Sequence, residues 1–117
     1  MNIEELRTWC ISKKGVSEDF PFDETTLVFK VMGKMFALTD LEGDLSINLK
    51  CDPEKAVELR ELYPCVMPGY HMNKRHWNTI LLDGSVPDQL IRQWIDHSYE
   101  MVVEKLTKKQ RNELATL

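Results

Sequence analysis

The chain has 117 residues, 43% of them hydrophobic and 29% charged, with a formal charge of −4 and a pI near 5.4. That length fits one domain, 1–117, able to bury roughly two-thirds of its unfolded surface and to fold without metal or disulfide staples. The composition excludes a disordered chain, and the net negative field disfavours nucleic acid and anionic membrane, so any DNA contact must come from a local basic patch.

Asn2, with Glu5 three residues later, predicts the cap of a first helix. Ile3, Leu6 and Cys10 share one face of it with Trp9 beside them, and Gly15 is expected as its C′ glycine. Phe20, Pro21 and Phe22 fall in a loop among the acidic Glu18, Asp19, Asp23 and Glu24. Three strands follow. Residues 27–31 and 35–39 flank a tight hairpin at Met32-Gly33-Lys34, and 45–50 come after a turn at Glu42-Gly43-Asp44. In the third strand Leu45, Ile47 and Leu49 alternate with Ser46, Asn48 and Lys50, which predicts one packed face and one wet face.

Asp52-Pro53 opens a second helix, an N-cap followed by proline at the first helical position. Ala56, Leu59, Leu62 and Tyr63 form its expected buried stripe, and Pro64 stops it. Residues 66–70 and 76–82 read as two more strands, the latter ending at Asp83-Gly84. Its register stays open, because Trp77 and Leu81 share one face while Ile80 and Leu82 share the other. Ser85-Val86-Pro87-Asp88 opens a last helix with a stripe of Leu90, Ile91, Trp94, Ile95, Ser98, Val102 and Leu106. A charged tail begins at about 107 and either continues that helix or leaves it. The fold class is α+β, two layers, an antiparallel sheet with helices on one face, in the order α-β-β-β-α-β-β-α.

The three cysteines, Cys10, Cys51 and Cys65, form no CxxC pair, which argues against a zinc ribbon or redox motif. With no apolar signal core and no run approaching ~18 apolar residues, the chain reads as soluble and cytoplasmic, with reduced thiols and no membrane partner. PGYHMNKRHW, residues 68–77, is the segment richest in binding chemistry. His71 and His76 lie five apart without a third ligand and His97 stands alone, so neither a metal nor a cofactor is expected. Cys51 lies near a helix N-terminus, where a thiolate is favoured, yet no nucleophile–base signature or phosphate-cradling glycine loop accompanies it. No catalytic residue is assigned and no enzyme activity is expected.

Nucleic-acid contact is the reading that uses most of these side chains. Lys74 and Arg75 would meet phosphates, Asn73 and Asn78 offer amides, and Tyr70, His71 and Trp77 offer flat faces. Lys30, Lys34 and Lys50 extend the patch if the polar sheet face lies beside residues 71–78. Against this, Trp77 and Tyr70 can equally anchor the core while the cations are solvated. Lys105, Lys108, Lys109 and Arg111 form a second basic cluster, read as cations complementing a helix C-terminus. The alternative to DNA is a protein segment bound along the sheet or the last helix. A third reading is a small-molecule pocket between Trp77, Tyr70 and the last helix. The expected state is a monomer or weak dimer, since the long last stripe leaves room for helix-mediated pairing.

The runs PFDETTLVFKVMGKMFAL, LKCDPEKAVELRELYP, VMPGYHMNKRHWNTILLDGSVPDQLI and HSYEMVVEKLTKK together resemble the MmcQ/YjbR family of small bacterial proteins. The resemblance spans about Pro21 to Lys109 in unbroken order. It implies a fold like that of the type III secretion chaperones, and DNA binding by likeness of fold to a double-wing domain in a phage transcription factor. That last step is analogy from fold. The resemblance implies no catalytic residues. His71, Asn73, Lys74, Arg75, Trp77 and Asn78 match the family's most distinctive segment.

Overall fold

Alternating apolar residues between Thr26 and Lys50 build the centre of the molecule, a meander of three strands. The computed structural model describes residues 1–70 and 72–117. Among them six strands form one antiparallel sheet, in spatial order β1-β2-β3-β4-β6-β5. In chain order the elements are α1 (Ile3–Ile11), β1 (Val16–Asp19), β2 (Thr26–Val31), β3 (Lys34–Asp40), β4 (Ser46–Lys50), α2 (Pro53–Leu62), β5 (Val66–Pro68), β6 (Trp77–Leu81), α3 (Asp88–Glu104) and α4 (Lys108–Ala115).

The helices cover one face. Leu6 and Cys10 of α1, Ala56 and Leu59 of α2, Ile91, Trp94 and Ile95 of α3 and Leu114 of α4 share one buried cluster. Phe29, Ile47, Leu49 and Ile80 of the sheet belong to it too. The other face carries a smaller cluster of Val28, Leu38 and Trp77, with Met35 and Met72 against it. The expected two-layer α+β arrangement is therefore present, but the face opposite the helices is not uniformly wet.

α3 contributes more than apolar burial. β3 carries one extra residue against β2, since Phe29 faces Ala37 while Lys30 faces Met35 and Phe36 has no partner. Past this bulge the β3–β4 ladder holds only Ala37 opposite Leu49 and Leu38 opposite Asn48. Ser98 fills the gap, its buried hydroxyl donating to Phe36 O at 2.5 Å and accepting from Lys50 N at 2.8 Å. Leaving those groups bare would cost roughly 1–3 kcal/mol each.

Several elements differ from expectation. The sequence pattern announces no strand before residue 27, yet β1 forms: VSED is four residues with a single aliphatic side chain, and its strand form depends on pairing with β2. α1 ends at Ile11 with Ser12 as its cap, so Gly15 (φ +74°) serves the turn into β1 and not the helix end. A Cβ on Gly15 would lie 2.5 Å from Leu114 Cδ1, so α4 packs directly on that turn. The hairpin after β2 places Met32 (φ +50°) as well as Gly33 (φ +81°) in the left-handed region, as a type I′ turn requires.

Leu62 is 60% exposed instead of buried. At about 100° per residue it falls outside the arc that Ala56, Leu59 and Tyr63 share. The tail from 107 forms α4 as a separate helix, started by a capping box between Thr107 and Gln110. Lys108 and Lys109 consequently occupy a first turn, the opposite end from the one that complements a helix dipole.

Candidate functional site

The segment 68–77 is mostly occupied with holding its own shape. Gly69 N donates to Trp77 O at 2.9 Å and Trp77 N to Asn73 O at 2.9 Å, closing the loop between β5 and β6. Asn73 Oδ1 accepts from Arg75 N at 2.9 Å, and Lys74 Nζ donates to Gly69 O at 3.0 Å. The glycine is obligatory by space, because a Cβ there would lie 2.9 Å from Trp77 Cβ and 3.0 Å from Trp77 O.

Arg60 of α2, which the sequence reading did not single out, locks this loop to the helical layer. Its Nε donates to Asn78 Oδ1 at 2.7 Å, and its terminal nitrogen reaches Lys74 O and Trp77 O. Asn78 is 1% exposed and donates in turn to Ala56 O at 3.2 Å. The signal that could have found Arg60 is its position toward the helix end, beside the strand that must return to the sheet.

The nine residues assigned to a nucleic-acid patch therefore separate. His71 lies outside the described residues. Asn78 faces the helices, with its amide committed there. Trp77, only 8% exposed, packs with Val28 and Leu38, which leaves little of its ring for stacking. Lys30 pairs with Asp19 at 3.4 Å, and Lys34 stands at the β2–β3 turn. Lys50 is next to Trp77 in the β4–β6 ladder, so it and the exposed Asn73, Lys74 and Arg75 are what the fold gathers at one end. The open register of 76–82 resolves as Asn78 and Ile80 toward the helices and Trp77 and Thr79 away from them, because both faces are buried there. A pocket between Trp77 and the last helix does not form, since α3 lies on the other side of the sheet. The α3 stripe is likewise buried against the sheet, which removes it as a partner groove.

What the sequence did not reveal is a hollow of about 670 Å³ on the helix-free face. A cross-strand row from Leu38 through Asn48 and Thr79 to Met67 forms its floor. Phe22 and Asp23 of the β1–β2 connection border one side, and Pro68, Tyr70 and Met72 border the other. Phe22 is 63% exposed, Tyr70 70% and Met67 38%. Thr79 fixes this second border, accepting from Tyr70 N at 3.0 Å and donating to Asn48 Oδ1. Asp23 fixes the first, its Oδ1 accepting from Thr25 N at 2.9 Å and Thr26 N at 2.7 Å. Those backbone hydrogen bonds hold its carboxyl below the usual aspartate range.

The thiols lie on the other face. Burial pushes Cys10 up to about 12 and raises Cys51 as well, so both stay protonated at neutral pH. His97 Nε2 is buried without a hydrogen-bond partner among the described residues. The cavity it shares with Cys51, Lys55 and Trp94 measures about 10 Å³, too small for an organic substrate. Among the described residues no cluster of three His, Cys, Asp or Glu side chains could hold a metal ion. None of the helices there is long and apolar enough to cross a membrane.

A family model for YjbR matches residues 11–101 of this chain. The chain belongs to the YjbR family. Escherichia coli K12 has a similar protein, called uncharacterized protein YjbR, 36% identical over 118 residues and covered in full by the match, as is this chain. The Escherichia coli O157:H7 protein called uncharacterized protein YbdF is 40% identical over 93 residues, covering 79% of this chain and 76% of that protein. The crystal structure of a Deinococcus radiodurans protein with a DUF419 domain superposes with a TM-score of 0.91 at 45% identity. That superposition covers 97% of this chain and 88% of the other.

Proposed function

We propose that this YjbR-family protein is a binding module and not an enzyme, and that its helix-free sheet face receives an extended segment of a partner protein. The observation that carries this reading is the hollow itself, about 670 Å³ between two loop walls. Its volume lies within the range of built binding sites, and half of its described lining residues are apolar or aromatic, the other half polar or acidic. The two methionines, Met67 and Met72, are adaptable contacts of the kind used on peptide-binding surfaces. The protonated thiols add support against a cysteine nucleophile.

Selection of nine-residue peptides from a random display library on the 117-residue chain tests the proposal. Peptides should be recovered whose binding is lost on Phe22→Ser, a change at an exposed position that leaves the thermal midpoint in place. Recovery of no binder, or of binders indifferent to Phe22→Ser, overturns it.

A second reading, DNA contact in a cytoplasmic protein, is supported by Lys50, Lys74 and Arg75 meeting at one end of the sheet. Lys74 retains two donors beyond the one given to Gly69 O, so it can still meet a phosphate. Mobility shift at ~50 mM salt with duplex and single-stranded oligonucleotides tests it, and a bound fraction should fall steeply as salt rises. Binding unaffected by Lys74→Gln with Arg75→Gln, or absent altogether, removes this reading.

A further inference from the structure

The open face of the sheet is electrically lopsided, and the asymmetry bears on what the hollow accepts. β2, β3 and β4 run between two ends of unlike charge. At one end lie Thr26 opposite Asp40, the 20–25 loop with Asp23 and Glu24, and the 41–45 turn with Glu42 and Asp44. At the other lie Lys30, Lys34 and Lys50. The hollow opens over the acidic end. Among the described residues lining it, the charged side chains are Asp23 and Asp40.

Both carboxylates are positioned by local turns rather than neutralised by cations. Asp40 Oδ1 accepts from Glu42 N at 2.9 Å, and Asp23 is held by Thr25 and Thr26. The ion pairs formed among the described residues use Glu18, Asp19, Asp88 and Asp96, not these two. Asp23 Oδ1 is filled by Thr25 and Thr26. Among the described residues, however, Asp23 Oδ2 accepts only from Thr26 Oγ1 at 3.1 Å and Asp40 Oδ1 only from Glu42 N, so both carboxylates keep acceptor capacity. A cation entering here would meet Asp23 and Asp40, with the ring of Phe22 on the same border as Asp23, and an aromatic face also attracts a cation. Its aliphatic stem would lie along Leu38, two residues before Asp40 on the same strand, while its head reached the acids. A phosphate or carboxylate in the same place would be repelled.

Resting on the docking reading above, we infer that the segment received by the hollow is apolar and presents a Lys or Arg side chain to Asp40 and Asp23. This makes the ligand chemistry opposite in sign to that of the DNA reading, and it sets the ligand's direction, with its cation toward the 20–25 and 41–45 loops.

The recovered peptides supply the test. Lys or Arg should be enriched beside aliphatic or aromatic residues. Synthetic peptides from that pool should weaken about two- to fivefold on Asp40→Asn and again on Asp23→Asn, the size expected for one partly solvated charge pair each. The loss should shrink at high salt, and replacing the peptide's cation by Gln should remove it. Peptides that need Phe22 but carry no cation, or that ignore both Asp→Asn changes, overturn this inference and leave the docking reading standing. Failure to recover any Phe22-dependent peptide overturns both. Asp40→Asn is isosteric at an exposed position, and an unchanged thermal midpoint separates loss of charge from loss of fold.

Discussion

The two faces of this sheet are built on unlike terms. The face under the helices is closed: aliphatic side chains from all four helices meet the strands, and apart from His97 Nε2 the buried polar side chains described there are answered from within. Ser98 answers the ladder gap at Phe36 and Lys50, and Arg60 with Asn78 answers the carbonyls of Ala56 and Trp77. The open face closes only around Trp77, Val28 and Leu38, and then stops. Beyond that point Phe22, Met67 and Tyr70 stand in solvent around a hollow. Exposed aromatics scattered singly carry little meaning, whereas several around one concavity mark a place of contact. One face stabilises the fold, and the other carries the hollow proposed above to receive a partner.

Substitutions graded by face can break that contrast. Phe29→Ala, in the centre of the covered face and fully buried, should cost about 3–5 kcal/mol in chemical denaturation. A loss below ~1 kcal/mol would mean that the helical layer is not the stabilising one. Gly69→Ala tests the packing of the β5–β6 loop. The added methyl meets Trp77 Cβ and backbone within 3.0 Å, and the strain should cost roughly 1–3 kcal/mol. An unchanged midpoint would show that the loop can yield. Phe22→Ser should shift stability by no more than about 0.5 kcal/mol while removing peptide binding, the reverse of Phe29→Ala.

The smallest effect is electrostatic. Asp23 has its pKa lowered by folding, so its share of loop stability is fully present above the unfolded value of ~3.9 and is lost as pH falls through the lower folded value. The amide resonances of Thr25 and Thr26 should report a transition with a midpoint below ~3.9, absent in Asp23→Asn. A midpoint at or above that value would show that the wall is not held by this carboxylate.

Much of the covered face was legible in the sequence. Period-two alternation gives β4, helical stripes give α1 and α3, and Asp52-Pro53 gives the start of α2. The open face was not, for reasons of distance and of ambiguity. Phe22 and Tyr70 lie on opposite borders of one hollow but far apart along the chain, and no local pattern joins them. Trp77 and Ile80 are both apolar on opposite faces, so alternation cannot choose a register when both faces are buried. β1 has too few apolar residues to announce a strand, and only its pairing with β2 makes it one. The basic and aromatic residues of 68–77 advertise binding by type, yet their geometry assigns Gly69, Asn73, Lys74 and Asn78 bonds that close the loop. The capping box at Thr107 and Gln110 was readable and marks α4 as a separate helix.

Arg60 begins in the helical layer and ends in the loop that borders the hollow, with Asn78 returning the connection to Ala56. A strut of this kind makes the β5–β6 loop and α2 open together, as one cooperative unit in native-state hydrogen exchange. Occupancy of the hollow would then slow exchange of the amides in α2, a helix on the opposite side of the sheet that the ligand never touches.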